Sequence, residues 1–206
     1  MWYVMQVMTG QESQTVLMLE RSLPEGVLEK CFVPMRRRKK KYQGKWHEVV
    51  EKLFPGYVFL VSDYPQLLYD ELKNIPAMTR LLGSCEEYFT PLSEEDVYIL
   101  LKLQENVCKP QTNQGMWGNR QIENKKQISE RVGGQEKFGI MKVDISRIRV
   151  GEKGLIRIVS GPLKNLEGQI RKINLHKRIA VVEAEFMGNK SQIHLGIEII
   201  EGNENG

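Results

Sequence analysis

Val159-Ser160-Gly161-Pro162-Leu163-Lys164-Asn165-Leu166-Glu167-Gly168-Gln169-Ile170 decides the fold of the C-terminal part of this 206-residue chain. Gly161-Pro162 breaks an extended run, because proline has no N–H to give to a ladder. The run turns and resumes after Gly168, where a glycine can take φ > 0 without a side-chain clash. Apolar and polar residues alternate on both sides, through Leu155-Ile156-Arg157-Ile158-Val159 and through Gln169-Ile170-Arg171-Lys172-Ile173. Period-two alternation predicts two strands of a small barrel.

The same pattern extends over residues 146–206. Strands are expected at Leu155–Val159, Gln169–Asn174, Ile179–Phe186, Ser191–Leu195 and Glu198–Ile200. Gly161-Pro162, His176-Lys177-Arg178 and Gly188-Asn189 separate them. Five short strands suit a small closed β-barrel, which leaves no exposed edge. Ile179-Ala180-Val181-Val182 and Ile197–Ile200 favour strand over helix.

Residues 1–108 read as one α/β unit. Trp2–Met8 and Leu28–Pro34 are strand-like, and Gln11–Leu23 has apolar residues at helical spacing. Arg36–Tyr42 and Lys45–Leu53 are two arms of a hairpin about Gln43-Gly44. Tyr57-Val58-Phe59-Leu60-Val61 is a continuous apolar strand, expected at the centre of the sheet. Gln66–Asn74 reads as a helix and Met78–Leu82 as a last strand. Ser93 is an N-cap followed by Glu94-Glu95-Asp96. Residues 109–145 are rich in Asn, Gln, Gly and Lys and read as a flexible linker, with Met116-Trp117 as an apolar island.

The bulk numbers exclude more than they assign. A net charge of +4 and a pI near 8.9 favour an anionic partner. Cys31, Cys85 and Cys108 are far apart and read as buried thiols, not as a metal site or disulfide framework. The N-terminus lacks a signal peptide pattern, and no apolar run approaches the ~18 residues of a membrane span. The expected setting is cytoplasmic. There is no G-x-S-x-G, phosphate-binding Gly-Lys-Ser/Thr or H-E-x-x-H, so catalysis, metal and cofactor are not expected.

Two sets of motifs carry a family resemblance. Trp2-Tyr3-Val4 with Gln6, Phe32-Val33-Pro34 and Phe54-Pro55-Gly56-Tyr57-Val58-Phe59 resemble the N-terminal (NGN) domain of the NusG family. Gly151, Gly161-Pro162, Gly168 and Phe186-Met187-Gly188 resemble its KOW barrel. The six consecutive bases Arg36, Arg37, Arg38, Lys39, Lys40 and Lys41, with His176-Lys177-Arg178, are most similar to specialised antiterminator members of the LoaP type. The resemblance implies the α+β form for residues 1–108, an antiparallel sheet flanked by helices, as an NGN domain that binds the clamp helices of RNA polymerase. It implies a KOW domain that binds an RNA hairpin in the leader transcript, in a monomer acting on selected long operons. The implied polymerase-binding residues are Trp2, Tyr3, Phe54, Pro55, Gly56 and Tyr57. An exposed aromatic at the place of Phe186 serves, in the family, to bind a ribosomal protein or Rho; here Phe186 is either such a ring or a core residue.

The charges add two nucleic-acid candidates. Along a strand, Arg36–Lys41 must point three to each side, and such a run resists burial. It is expected either to attract nucleic-acid phosphates, without reading sequence, or to be a solvated hairpin. In the barrel, Lys164, Arg171, Lys172, His176, Lys177, Arg178 and Lys190 fall in loops or at strand ends, and ten bases face six acids over residues 147–202. Arginine can grip phosphate bidentately or stack on a base, which suits a hairpin RNA. Lys73 and Asn74 are placed near non-template DNA by position alone. The competing readings are a general NusG factor and a ribosome-associated KOW protein.

Overall fold

Tyr57–Val61 has almost no polar position, so it needs cover on both faces and neighbours on both edges. The computed structural model, which describes residues 1–75, 80–81, 91–104 and 138–200, gives it both. The chain divides into two compact units. The first comprises Met1–Pro34, Phe54–Leu92 and Cys108–Met141; the second comprises Met35–Leu53, Ser93–Val107 and Lys142–Gly206. Met116-Trp117, Cys85 and Cys108 lie outside the described residues.

In the first unit, β1 (Trp2–Gln6) and the start of β2 (Lys30–Tyr42) flank the central β4 (Tyr57–Val61). Both are antiparallel to it, from Trp2↔Val61 to Gln6↔Tyr57 and from Lys30↔Val61 to Phe32↔Phe59. A short β5 (Arg80–Leu81) pairs with β1. Helix α1 (Glu12–Ser22) packs on β4 and buries Val16 and Leu19. Helix α2 (Pro65–Lys73) starts with proline, whose missing N–H is no loss there, and buries Leu68 and Leu72. Cys31 is buried, and burial pushes its thiol pKa well up.

Two strands of the sequence reading merge here. β2 runs unbroken for 13 residues although Pro34 lies within it. The ladders explain why: pairing with β4 ends at Phe32 and pairing with β3 (Lys45–Lys52) begins at Met35. Pro34 sits at the changeover, where no ladder donor is needed.

In the second unit, β2 and β3 form a hairpin from Met35↔Lys52 to Tyr42↔Lys45. Its turn has φ of 49° at Gln43 and 78° at Gly44, both left-handed, which matches the twist of a two-residue hairpin. Helix α3 (Glu94–Lys102) opens with a capping box. Ser93 Oγ accepts from Asp96 N at 3.1 Å, and Asp96 Oδ2 accepts from Ser93 N at 3.3 Å. Within the stretch read as linker, Phe138–Val143 form a strand, β6, that pairs with β2 and buries Met141 and Val143.

The C-terminal sheet has five strands: β7 (Ser146–Val150), β8 (Ile156–Ser160), β9 (Ile170–Asn174), β10 (Ile179–Phe186) and β11 (Asn189–Ile199). Their order is β8-β7-β11-β10-β9, with β11 and β7 parallel. Ile148, Val182, Phe186, Leu195 and Ile197 fill its interior. Strand β7 is additional to the sequence reading, and the two last expected strands are one continuous β11.

Two details correct the expectation. The left-handed glycine is Gly161, with φ of 94°, not Gly168. A Cβ at Gly161 would lie 2.6 Å from Ser146 Cα, so only glycine fits that turn. The sheet curls, but β8 and β9 stand at opposite ends of its order and do not pair with each other. Between them the chain forms two short 3-10 turns, Pro162–Asn165 and Glu167–Gln169, with Leu163 in the first and Leu166 between the two buried. That connection spreads the two strands where a tight hairpin would join them. Among the described residues no helix is long and apolar enough to cross a membrane.

Candidate functional site

The Phe54-Pro55-Gly56-Tyr57 turn is held from three directions. Gly56 has φ of 84°, and a Cβ there would lie 3.1 Å from Thr9 Oγ1 and 3.3 Å from the Val7 carbonyl. Val7 N donates to the Gly56 carbonyl at 2.8 Å. The third hold is Glu12, the first residue of α1. Its Oε1 accepts from Gly56 N at 2.7 Å and its Oε2 from Gly10 N at 2.9 Å. The side chain is fully buried, and a carboxylate held by backbone N–H groups makes strong, charge-assisted bonds.

A row of rings supports the turn from below. Trp2 meets Phe32 edge-on at 5.6 Å, Phe32 stacks on Phe59 at 5.6 Å, and Phe54 tilts against Phe59 at 5.9 Å. The aromatic set therefore divides. Trp2 (7% exposed) and Tyr3 (1%) are core residues. Phe54 and Tyr57 are half-buried and Pro55 is exposed. Sequence reasoning missed Glu12, because an acid in a first helical turn is ordinary. At the far end of α2, Lys73 is exposed with its Nζ 4.0 Å from the Tyr69 ring, and Asn74 Nδ2 donates to the Asp70 carbonyl at 3.3 Å.

The basic run alternates as a strand requires. Arg36, Arg38 and Lys40 converge on Glu51, with Arg38 Nε at 2.7 Å and Arg36 Nη2 at 3.3 Å. Arg37 Nη1 meets Asp144 Oδ1 at 2.7 Å and its Nε donates to Glu48 Oε1 at 2.8 Å, while Lys39 pairs with Glu198. Burial alone would raise the Glu51 pKa, but hydrogen bonds from Lys40 and Arg38, with their charges, outweigh it and bring the carboxyl down to about 2. The hairpin still carries eight Lys and Arg against two acids over residues 35–53.

The hairpin packs on β11 within the second unit. Arg36 Nη1 donates to the His194 carbonyl at 2.7 Å. A Cβ at Gly196 would lie 2.4 Å from the Arg37 carbonyl oxygen, so the two backbones touch only because residue 196 is glycine. Arg178 lies over the Trp46 ring at 5.2 Å.

The basic residues of the C-terminal sheet do not form one patch. Lys172, His176 and Lys177 are exposed on β9 and the following turn, where Asn174 Oδ1 accepts from Lys177 N at 2.8 Å. Arg171 Nη2 is bound to Glu183 at 2.7 Å. Lys190 lies opposite Glu185, near the other end of β10 from Arg178, roughly 20 Å away at strand spacing. Lys164 is exposed in the first 3-10 turn.

Phe186 is 1% exposed. Helix α3 packs on β10 beside it, and Asp96 Oδ1 accepts from Met187 N at 2.7 Å. Asn165 Nδ2 donates to the Lys102 carbonyl at 3.1 Å, tying the end of α3 to the 3-10 turn. Of the two readings of Phe186, this structure has the core one. Among the described residues no group of three His, Cys, Asp or Glu could hold a metal ion.

A braced aromatic turn on an antiparallel sheet, a basic hairpin and a small curled sheet together define an NGN-plus-KOW protein. Two sequence comparisons with known proteins agree. A family model described as transcription termination factor nusG matches residues 1–101. The transcription termination/antitermination protein NusG of Halalkalibacterium halodurans is 26% identical over 206 residues, covering 97% of each chain. The Thermus thermophilus protein of the same name is 24% identical and covers 94% of each. A solved structure of Thermotoga maritima NusG aligns over 95% of this chain and 92% of that one, at 18% identity and a TM-score of 0.46. The chain is thus similar to the NusG family, over residues 1–101 by the family model and over nearly its full length by the relatives.

Proposed function

We propose that the chain is a NusG-type transcription elongation factor of the cytoplasm that acts as an operon-specific processive antiterminator. The turn Phe54-Pro55-Gly56-Tyr57 docks on the clamp helices of RNA polymerase. Phe54 and Tyr57 supply partly exposed rings, the kind of anchor that carries most of an interface's energy. Trp2 and Tyr3 serve this surface from the core. The observation that carries the reading is the clamp of Glu12 on Gly56, which fixes the turn before any partner arrives. A preorganised anchor loses less ordering entropy on binding.

The RNA reading rests on the exposed Lys172, His176 and Lys177, beside Arg178. These groups take the phosphates and splayed bases of a leader RNA hairpin. Burial of Phe186 beside α3 favours RNA over a ribosomal protein or Rho as the partner of this domain. The excess charge of Arg36–Lys41, with Lys73 and Asn74, adds sequence-blind attraction to nearby nucleic acid, including non-template DNA. A second reading, a general NusG factor, draws on the full-length similarity to proteins named for both termination and antitermination.

The test uses the full chain and RNA polymerase core from the same host. Phe54→Ser should weaken polymerase binding about tenfold or more, with an unchanged circular dichroism spectrum. His176→Ala with Lys177→Ala should leave polymerase binding intact and reduce crosslinking to RNA. Wild-type polymerase affinity in Phe54→Ser would contradict the docking surface.

A further inference from the structure

The seam between β8 and β9 is the feature that the reading above leaves unused. Among the described residues each of these strands has a strand neighbour on one side alone. Such an edge presents backbone groups to any added strand. Between the two edges lies a cleft of about 750 Å³. Ile156, Ile158, Ile170 and Ile173 line it, all half-buried. Arg149, Arg157 and Lys164 also line it, all exposed, against one acid among the described residues, Glu167. None of His176, Lys177 and Arg178 belongs to this lining.

We propose that this seam is a docking site for an extended acidic peptide segment of a partner protein, which enters as an added strand between β8 and β9. Three properties of the cleft select that occupant. Edge backbone groups give an extended peptide its ladder bonds, and the isoleucines receive its alternate apolar side chains. The three cations match carboxylates on the intervening positions. Each edge strand is five residues long, so the site spans roughly 17 Å and takes about five peptide residues. A nucleic-acid strand fits less well. Single strands are held by stacking bases on rings, and among the described residues no aromatic lines this cleft.

The test is nuclear magnetic resonance on the full chain. The probe is an acetylated, amidated octapeptide that alternates Glu or Asp with Val or Ile. A second octapeptide keeps the acids and replaces Val and Ile by Ser. An eight-nucleotide oligouridylate is the nucleic-acid probe. The apolar acidic peptide should shift the amides of residues 156–160 and 170–174 and give intermolecular contacts to the isoleucine methyls. Arg149→Gln with Arg157→Gln, which removes both charges and keeps polar side chains, should weaken it at least about fivefold. Equal binding of the serine peptide would reduce the site to unspecific charge attraction and overturn the proposal. Preferred binding of oligouridylate in the cleft would overturn it in favour of nucleic acid. No shifts along the seam with any probe would also overturn it.

Discussion

Glu12 and Gly56 are separated by 44 positions in the chain and joined by a buried 2.7 Å hydrogen bond, from the Gly56 N–H to the Glu12 carboxylate. The same carboxylate holds Gly10. It therefore fixes both the start of α1 and the turn that presents Phe54. Removing it should leave two backbone donors without this acceptor. Glu12→Ala is expected to lower stability by about 2–4 kcal/mol, with Glu12→Gln intermediate, because an amide oxygen can satisfy only part of the carboxylate's role. Urea unfolding of the full chain measures this. Wild-type stability in Glu12→Ala would remove the clamp from the account.

The two glycines of the decisive stretch should behave oppositely. Gly161 has φ of 94° and Ser146 Cα 2.6 Å from its would-be Cβ. Gly161→Ala should cost more than about 2 kcal/mol, from backbone strain and overpacking together. Gly168 has nothing within 4 Å of that position. Gly168→Ala should change stability by less than about 1 kcal/mol in either direction. Thermal denaturation of the pair of variants separates the two cases.

Asp96 has two tasks and Ser93 has one. Ser93→Ala should cost about 1 kcal/mol, the usual effect of losing an N-cap. Asp96→Ala should cost more, because Asp96 also accepts from Met187 N at 2.7 Å. Amide hydrogen exchange gives the specific signature. Met187 should exchange faster in Asp96→Ala and remain protected in Ser93→Ala.

Acid should loosen the hairpin within a defined window. Glu51 is lowered from 4.5 to about 2, against the effect of its own burial, by Lys40 and Arg38. Glu198 is lowered by its hydrogen bond from Lys39 and by the charges of Lys39, Arg147 and Arg178, against desolvation. A carboxylate with a depressed folded pKa gives stability that is full above its unfolded value. That stability is lost as pH falls through the folded value. Protection of the β2–β3 amides should therefore hold at pH 6 and decline between 4.5 and about 2. In Glu51→Gln the decline over that window should be smaller.

The sequence was legible where a residue type has one dominant local meaning. Tyr57–Val61 is apolar at nearly every position and does lie between two strands. Ser93 before three acids does cap a helix. The merged β2 was hidden by Pro34, because the sequence does not show where one ladder ends and the next begins. Strand β7 was hidden by its composition: two of the five residues Ser146-Arg147-Ile148-Arg149-Val150 are charged, and its pairing with Ile197–Ile199 on one side and with β8 on the other makes it a strand. The basic run was legible as alternating. Its acid partners Asp144 and Glu198 were not, because they lie more than 100 residues away. Glu12 was missed for the same reason, as its meaning depends on a glycine in another turn.

The most direct test of the central claim is a genome-wide map of where this protein travels with RNA polymerase in its host, combined with sequencing of RNA crosslinked to it. The account predicts occupancy on one or a few long operons, with crosslinks concentrated at a hairpin in their leader transcripts. Occupancy on nearly every transcribed gene, without a preferred RNA, would contradict operon-specific antitermination and make the chain a general elongation factor of its family.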